Sequence, residues 1–533
     1  MENQVVLYDA LLREGAQTEG IHLSLQDKLM LTEALDSLGI QYIEGGWPGS
    51  NPTDIAFFRE AKRLHLRSAR LAAFGMTRRA RFKAGNDPLL RDLLRAGTPT
   101  VTLFGKSWDF HVKNTLRISC SENLDLISET VFFLKKRTEE VFYDAEHFFD
   151  GFRSNPDYAL ETLAAALTSG ADAIVLCDTN GGSVPDEIKD VTARVRRCFP
   201  EATLGIHCHN DGDLAVANTL AAVAQGATQV QGCLNGLGER CGNANLSALI
   251  PTLALKWKVR FGKPLKLERL TSVSRLADEI CNVHPRDNAP YVGKSAFAHK
   301  AGVHIAAVKK APAAYEHIHP EEVGNRRKML LSDQAGLSVI IHKAGDRKIR
   351  LRKNTPEARQ IIKTMKTLES EGYQFEGAEA SFDILVKKAL GRHRKFFDLV
   401  GFRVIDENRG EGKLLSEATI QVKVNGVLEI TTGKGDGPVN ALDCALRKAL
   451  TKFYPSLKEL HLTDFKVRVL NAKEGTAARV RVLIESSDLK DSWGTVGVST
   501  NIIEASWEAI VDSIDYKLMK DDVRSHRPKR SRV

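Results

Sequence analysis

A chain of 533 residues is too long for one hydrophobic core, and a length prior gives about two to four domains. With 43% hydrophobic and 27% charged residues its composition is that of a globular protein, which excludes a disordered chain, and no apolar run reaches the ~18 residues of a membrane span. The formal charge of +9 is spread along the sequence, which argues against a nucleic-acid partner; only the closing run from Arg524 to Val533 is densely basic, and it reads as a solvated tail. The dispersed surplus suits attraction of anionic substrates. Cys120, Cys177, Cys198, Cys208, Cys233, Cys241, Cys281 and Cys444 form no C-x-x-C pair and follow no secretory leader pattern, so reduced thiols in a cytoplasmic protein are expected.

From the start to about residue 262, short β-type runs alternate with amphipathic helical stretches. The predicted strands are Val5 to Tyr8, Gln41 to Glu44, Ala69 to Phe74, Thr100 to Phe104, Val141 to Tyr143, Ala173 to Cys177, Leu204 to His207 and Gln229 to Cys233. A helix from Ser24 to Leu38 is expected, with a Ser24/Asp27 capping box, a stripe of Leu31, Leu35 and Leu38, and a Gly39 stop. Further helices are predicted after Asp157, Pro185 and Asp213. Eight such units joined by parallel crossovers predict an α/β fold, a (β/α)8 TIM barrel, with a doubly wound open sheet as the competing arrangement.

In a barrel the C-terminal ends of all strands share one mouth. The chain places polar residues at those ends: Arg13 and Glu14 after the first strand, the Gly/Pro-rich loop Gly45 to Pro52 with Trp47 after the second, and Asp144 to His147 after the fifth. Asp178, Thr179 and Asn180 follow the sixth strand, and Asn235 to Asn243 follow the eighth. The seventh ends in His207-Cys-His209-Asn-Asp211, and imidazoles two apart on a strand project to one side. The acids at the other strand ends, Glu14 among them, can supply the carboxylate such a pair lacks. One carboxylate and two imidazoles leave open positions on a divalent ion, where a substrate can bind as a Lewis base.

Residues 263–390 read as a helical subdomain, lid and linker, with the His-containing, small-residue stretch Asn288 to Tyr315 near the mouth. Residues 391–520 read as an α+β domain. Strands at Phe402 to Val404, Ala418 to Val424 and Val427 to Thr431 precede a helix after Pro438. Strands at Asp464 to Leu470, Ala478 to Glu485 and Trp493 to Val498 precede a second helix from Asn501. Gly433 and Gly497 share an offset with the pairs Ala441/Ala505 and Ala445/Ala509, the mark of a duplicated β-β-β-α unit. Residues 521–533 are assigned to the basic tail.

The motifs Leu12-Arg13-Glu14-Gly15, His207-Cys-His209-Asn-Asp, Gly238-Glu-Arg-Cys-Gly-Asn243, Ser295 to His304 and Gly435 to Ala441 together resemble the Claisen-condensing acyltransferases that include the 2-isopropylmalate, homocitrate and citramalate synthases. Gly45 to Pro52 and Asp144 to Gly151 resemble the loops of the citramalate branch. The resemblance implies condensation of acetyl-CoA with a 2-oxo acid and hydrolysis of the thioester. Pyruvate is the acid favoured, and 2-oxoisovalerate and 2-oxoglutarate are the alternatives. Carried over by motif position, the metal ligands are Glu14, His207, His209 and Asn243, for Mn or Mg with Zn as the other candidate. Many relatives have Asp where Glu14 stands, which here adds one methylene of reach.

The same resemblance makes Arg13 the stabiliser of the keto oxygen, Thr179 a ligand of the keto-acid carboxylate, Glu146 a catalytic carboxylate, and His304 and Tyr315 the groups for acid/base work on acetyl-CoA. It also implies a homodimer with isoleucine as a feedback effector of the C-terminal domain. Three rival readings remain open on the residues alone. A non-haem iron oxygenase would use a similar ligand set, although with H-x-D/E on a double-stranded β fold, and an amidohydrolase would carry its H-x-H on the first strand. A non-catalytic amino-acid sensor would have no need of the mouth residues.

Overall fold

The computed structural model describes residues 4–329, 355–375, 377–408, 414–470, 477–488 and 491–525. The basic tail beyond residue 525 lies outside the described residues. The chain divides into two compact units, Met1–Phe297 with Glu316–Arg327, and Ala298–Tyr315 with Lys328–Val533. The stretch 263–390, expected as one subdomain, is thus shared between both.

The first unit is a closed parallel barrel. Its strands are β1 (Gln4–Asp9), β2 (Tyr42–Gly46), β3 (Arg70–Met76), β4 (Thr100–Lys106), β5 (Glu140–Glu146), β6 (Ala173–Asp178), β7 (Leu204–Cys208) and β8 (Gln229–Gly232). Each pairs in parallel with the next, and β1 pairs with both β8 and β2, so no open edge remains. A ninth short strand, β9 (Arg260–Phe261), adds to the start of β1. All eight predicted strands are present, and closure rules out the open sheet.

Alternation along the strands sorts residues between two cores. Leu7, Ile43, Val101, Val141, Ile174, Ile206 and Val230 face outward into the cluster shared with the surrounding helices. Each fully buried aliphatic side chain of this kind contributes about 1.5–3 kcal/mol. Tyr8, Ala72, Phe142, Ala173 and Cys233 form a separate inner cluster. The same parity turns Glu44, Asp144, His207 and Gln231 inward near the mouth. The helix Leu25–Leu38 begins with the predicted Ser24/Asp27 box and ends at Gly39, whose φ of 102° favours glycine.

The second unit opens with a two-stranded parallel pair, β10 (Ala298–His299) and β11 (Lys328–Met329), and a helix Gly302–Lys310. Helices Pro356–Ser370 and Glu379–Ala389 follow. Then come two antiparallel sheets, β12 (Asp398–Asn408), β13 (Leu414–Val424) and β14 (Val427–Gly435), and β15 (His461–Val469), β16 (Val480–Ser487) and β17 (Ser492–Ser499). Each is followed by its helix, Pro438–Leu450 and Ile502–Ser525. The duplication extends to single hydrogen bonds. Thr431 Oγ1 on β14 donates to Ala445 O at 2.8 Å, and Thr495 Oγ1 on β17 donates to Ala509 O at 2.8 Å, each fourteen residues on. Among the described residues no helix is long and apolar enough to cross a membrane.

Candidate active site

The turn that carries Arg13 and Glu14 is tied down by Asp9, the last residue of β1. Its carboxylate accepts the N–H of Leu11 at 2.8 Å and that of Leu234, beyond β8, at 2.9 Å. Burial outweighs these two bonds and raises the Asp9 carboxyl to about 7. Asn243 arrives from the loop after β8, where its backbone bridges to that of His209. The loop folds this closely because Gly242, at φ 88°, presents no Cβ to the Gly236 carbonyl.

Arg13 Nε donates to Glu44 Oε1 at 2.6 Å, its Nη1 pairs with Glu14 Oε2, and its guanidinium lies 3.7 Å from the Phe74 ring centre. Burial disfavours the Arg13 charge, but Glu44 and then Glu14 outweigh it and raise the pKa. For Glu14, burial is likewise overcome, first by Arg13 and then by His207 and His209, and its carboxyl falls to about 2. Burial lowers the pKa of both histidines, that of His209 to about 3 with His207 adding to the effect. The mouth therefore holds a fixed cation, a fixed carboxylate and two neutral imidazoles with rings 5.3 Å apart.

His207 Nδ1 meets Gln231 Oε1 at 3.0 Å across the β7/β8 register, and Gln231 Nε2 donates to Asp144 Oδ1 at 3.1 Å. Thr179 Oγ1 accepts the backbone N–H of His147 at 2.9 Å, which leaves its own proton to donate elsewhere. Glu146 pairs with Lys106, its register partner at the end of β4. Trp47 stands edge-on to Phe74 and Phe104, with ring centres 6.0 and 5.7 Å away, and forms an aromatic wall with them. His304 and Tyr315 belong to the second unit, where their rings stack with centres 4.2 Å apart.

Among the described residues, Glu14 Oε1, His209 Nδ1, and Asn243 Oδ1 and Nδ2 are buried in the mouth without a well-formed hydrogen bond. Buried orphans of this kind are rare, and a bound ion is one of the few things that account for them. His209 Nε2 is 3.9 Å from Glu14 Oε1. Among the described residues no three His, Cys, Asp or Glu side chains have metal-holding spacing, and Glu14 is paired with Arg13. In chemistry, however, a carboxylate, two neutral imidazoles and an amide suit a divalent cation.

The HMGL-like family profile matches residues 4–277, which span the whole barrel. The chain belongs to the HMGL-like family. In this HMGL-like chain residues 291–372 match a homocitrate synthase post-HMGL domain-like profile, and residues 376–518 match the LeuA allosteric (dimerisation) domain. An (R)-citramalate synthase of Geobacter sulfurreducens is 54% identical over 97% of this chain and 98% of its own. One from Aquifex aeolicus is 52% identical over 98% of this chain and 99% of its own. A 2-isopropylmalate synthase of Methanocaldococcus jannaschii is 28% identical over 97% of this chain and 95% of its own.

Arg13, Glu14, His207, His209 and Asn243 lie together at the mouth, with Thr179 and Glu146 at neighbouring strand ends. Four partners were not singled out from sequence: Glu44, Lys106, Asp144 and Gln231. Glu44 and Asp144 were visible as acids at strand ends. Lys106 and Gln231 carried no signal of their own, since only the register of adjacent strands gives them a role.

Proposed function

We propose that the chain is an acyltransferase that condenses acetyl-CoA with pyruvate and hydrolyses the thioester, giving (R)-citramalate and CoA, the activity named for its relatives at 52–54% identity. The observation that carries the reading is the buried, orphaned donor set of Glu14, His209 and Asn243 beside His207 and the charged Arg13. Glu14, His207, His209 and Asn243 would hold a divalent ion, Mn or Mg ahead of Zn. Such an ion, when bound, polarises the keto acid as a Lewis acid.

The protein groups act around it. Thr179 donates its free hydroxyl proton to the keto-acid carboxylate. Arg13, held charged by Glu44 and Glu14, faces the keto oxygen as negative charge gathers there, where a preorganised cation lowers the barrier most. The acetyl methyl loses a proton to a base, for which the family resemblance offers His304 and Tyr315, the resulting carbanion attacks the keto carbon, and the keto oxygen takes up a proton to become the product hydroxyl. Glu146, oriented by Lys106, positions the water that attacks the thioester and releases CoA as the thiol. The aromatic wall of Trp47, Phe74 and Phe104 supports pyruvate, which brings only a methyl group, over longer oxo acids.

The match to an allosteric, dimerising domain supports a homodimer under effector control; the effector we propose is isoleucine, from the family resemblance alone. A cleft of about 580 Å³ in the second unit, lined by Leu368, Ile384, Val496, Trp507, Lys388 and Asp512, has room for an amino acid and a mixed apolar and charged lining. The test is CoA release with acetyl-CoA and Mn or Mg, offering pyruvate, 2-oxoisovalerate and 2-oxoglutarate in parallel, with and without isoleucine. Preferred, metal-dependent turnover of pyruvate is expected. Preference for a longer acid overturns the substrate, and no release with any of them overturns the reaction.

A further inference from the structure

We infer that Gln231 and Asp144 are positioning residues that set the tautomer of His207 and aim its Nε2 lone pair at the bound divalent ion; this rests on the metal-site reading above. The argument begins with what each group can donate. The Gln231 amide has a donor end and an acceptor end; burial and then Glu44 raise the Asp144 carboxyl to about 8, so near neutrality it carries a proton on one oxygen and accepts through the other. Asp144 Oδ1, 3.1 Å from Gln231 Nε2, is the accepting oxygen and turns the donor end of the amide toward itself. That leaves Oε1, an acceptor, 3.0 Å from His207 Nδ1, so the ring proton sits on Nδ1. The other nitrogen, Nε2, keeps its lone pair.

All three side chains are buried, at 4% exposure for Asp144, 1% for Gln231 and 5% for His207, so water does not compete for these bonds. They come from three strands, β5, β7 and β8, and register places His207 directly beside Gln231. A ring held this way loses little orientational freedom when it ligates, and partners of this kind are typically worth about 10–100-fold in metal affinity. The reverse chain, in which a protonated Asp144 donates to Oε1 and the amide donates to Nδ1, would put the proton on Nε2 and block ligation there.

The test is calorimetric titration of metal-free full-length protein with Mn²⁺ alone, joined to ¹⁵N NMR of selectively labelled histidine. For Gln231→Leu the expected result is about 10–100-fold weaker Mn²⁺ binding by a metal-free chain that stays folded, with a lowered thermal transition because His207 and Asp144 lose a buried partner, and loss of the Nδ1–H signature of His207. Gln231→Glu, which can still accept from Nδ1–H, should recover part of the affinity, and Asp144→Leu should weaken binding less than Gln231→Leu. Wild-type binding that His207→Ala abolishes and Gln231→Leu leaves within twofold overturns the inference, as does an Nε2–H tautomer in the metal-free wild type. Wild-type protein that binds no Mn²⁺, or binds it equally after Glu14→Gln and His209→Ala, overturns the metal-site reading instead.

Discussion

The barrel mouth and the C-terminal repeat use opposite ways of making a specific structure from one chain. The mouth gathers residues from distant parts of the sequence, Arg13 with Glu44 and His207 with Gln231 and Asp144, and each charge is held by its neighbours inside a low-dielectric space. The repeat is local. Each βββα unit closes on its own helix through small residues, with Thr431 and Thr495 making the same hydrogen bond twice. Interactions at the mouth should therefore be strongly coupled, and those in the repeat close to additive.

Arg13 gives the largest effect. Arg13→Leu is expected to lower kcat by about 10²–10³-fold through loss of the cation. It should also destabilise the barrel by about 3–5 kcal/mol, because Glu14 and Glu44 are left buried without their partner. The double variant Arg13→Leu/Glu44→Leu should regain much of that stability and none of the activity. Steady-state kinetics and denaturant unfolding of the three proteins would check this, and equal stability losses in single and double variants would break the contrast.

Next comes Gly497→Ala, whose Cβ would press on the Ala505 carbonyl. Overpacking of this sort costs about 1–3 kcal/mol, read as a lowered transition of the C-terminal unit with metal binding at the mouth intact. Thr431→Val and Thr495→Val should each cost about 1 kcal/mol, and the pair should add. Strong non-additivity in urea unfolding would mean that the two repeats do not act as separate units.

The smallest effect is a pH dependence. Burial, opposed by a Ser381 hydrogen bond and by Lys388, raises the Asp512 carboxyl from 3.8 to about 6. The folded state thus keeps this proton to a higher pH than the unfolded chain does. Its contribution is fully present below about pH 4 and is lost as pH rises through about 6, by on the order of 1 kcal/mol. Asp512→Asn should flatten that slope, which thermal melts from pH 4 to 8 would show.

The architecture was legible because its signals are local. Alternating apolar runs marked all eight barrel strands, and the matching offsets of Gly433/Gly497 and Ala441/Ala505 marked the duplication. The site was half legible. Arg13, Glu14 and the His207/His209 pair lie in motifs that carry their own pattern, and Asn243 followed by family resemblance. Glu44, Lys106, Asp144 and Gln231 belong to the same network, but their roles depend on which strand lies beside which and at what register. A Gln in the middle of a short strand reads as an ordinary polar residue until β7 and β8 are paired.

The most direct test of the account measures Mn²⁺ stoichiometry and pyruvate-dependent CoA release together, for wild type, Glu14→Gln and His209→Ala. The account predicts one ion per chain and metal-dependent turnover in the wild type, with both lost in each variant. Variants that keep the ion and the turnover would contradict it.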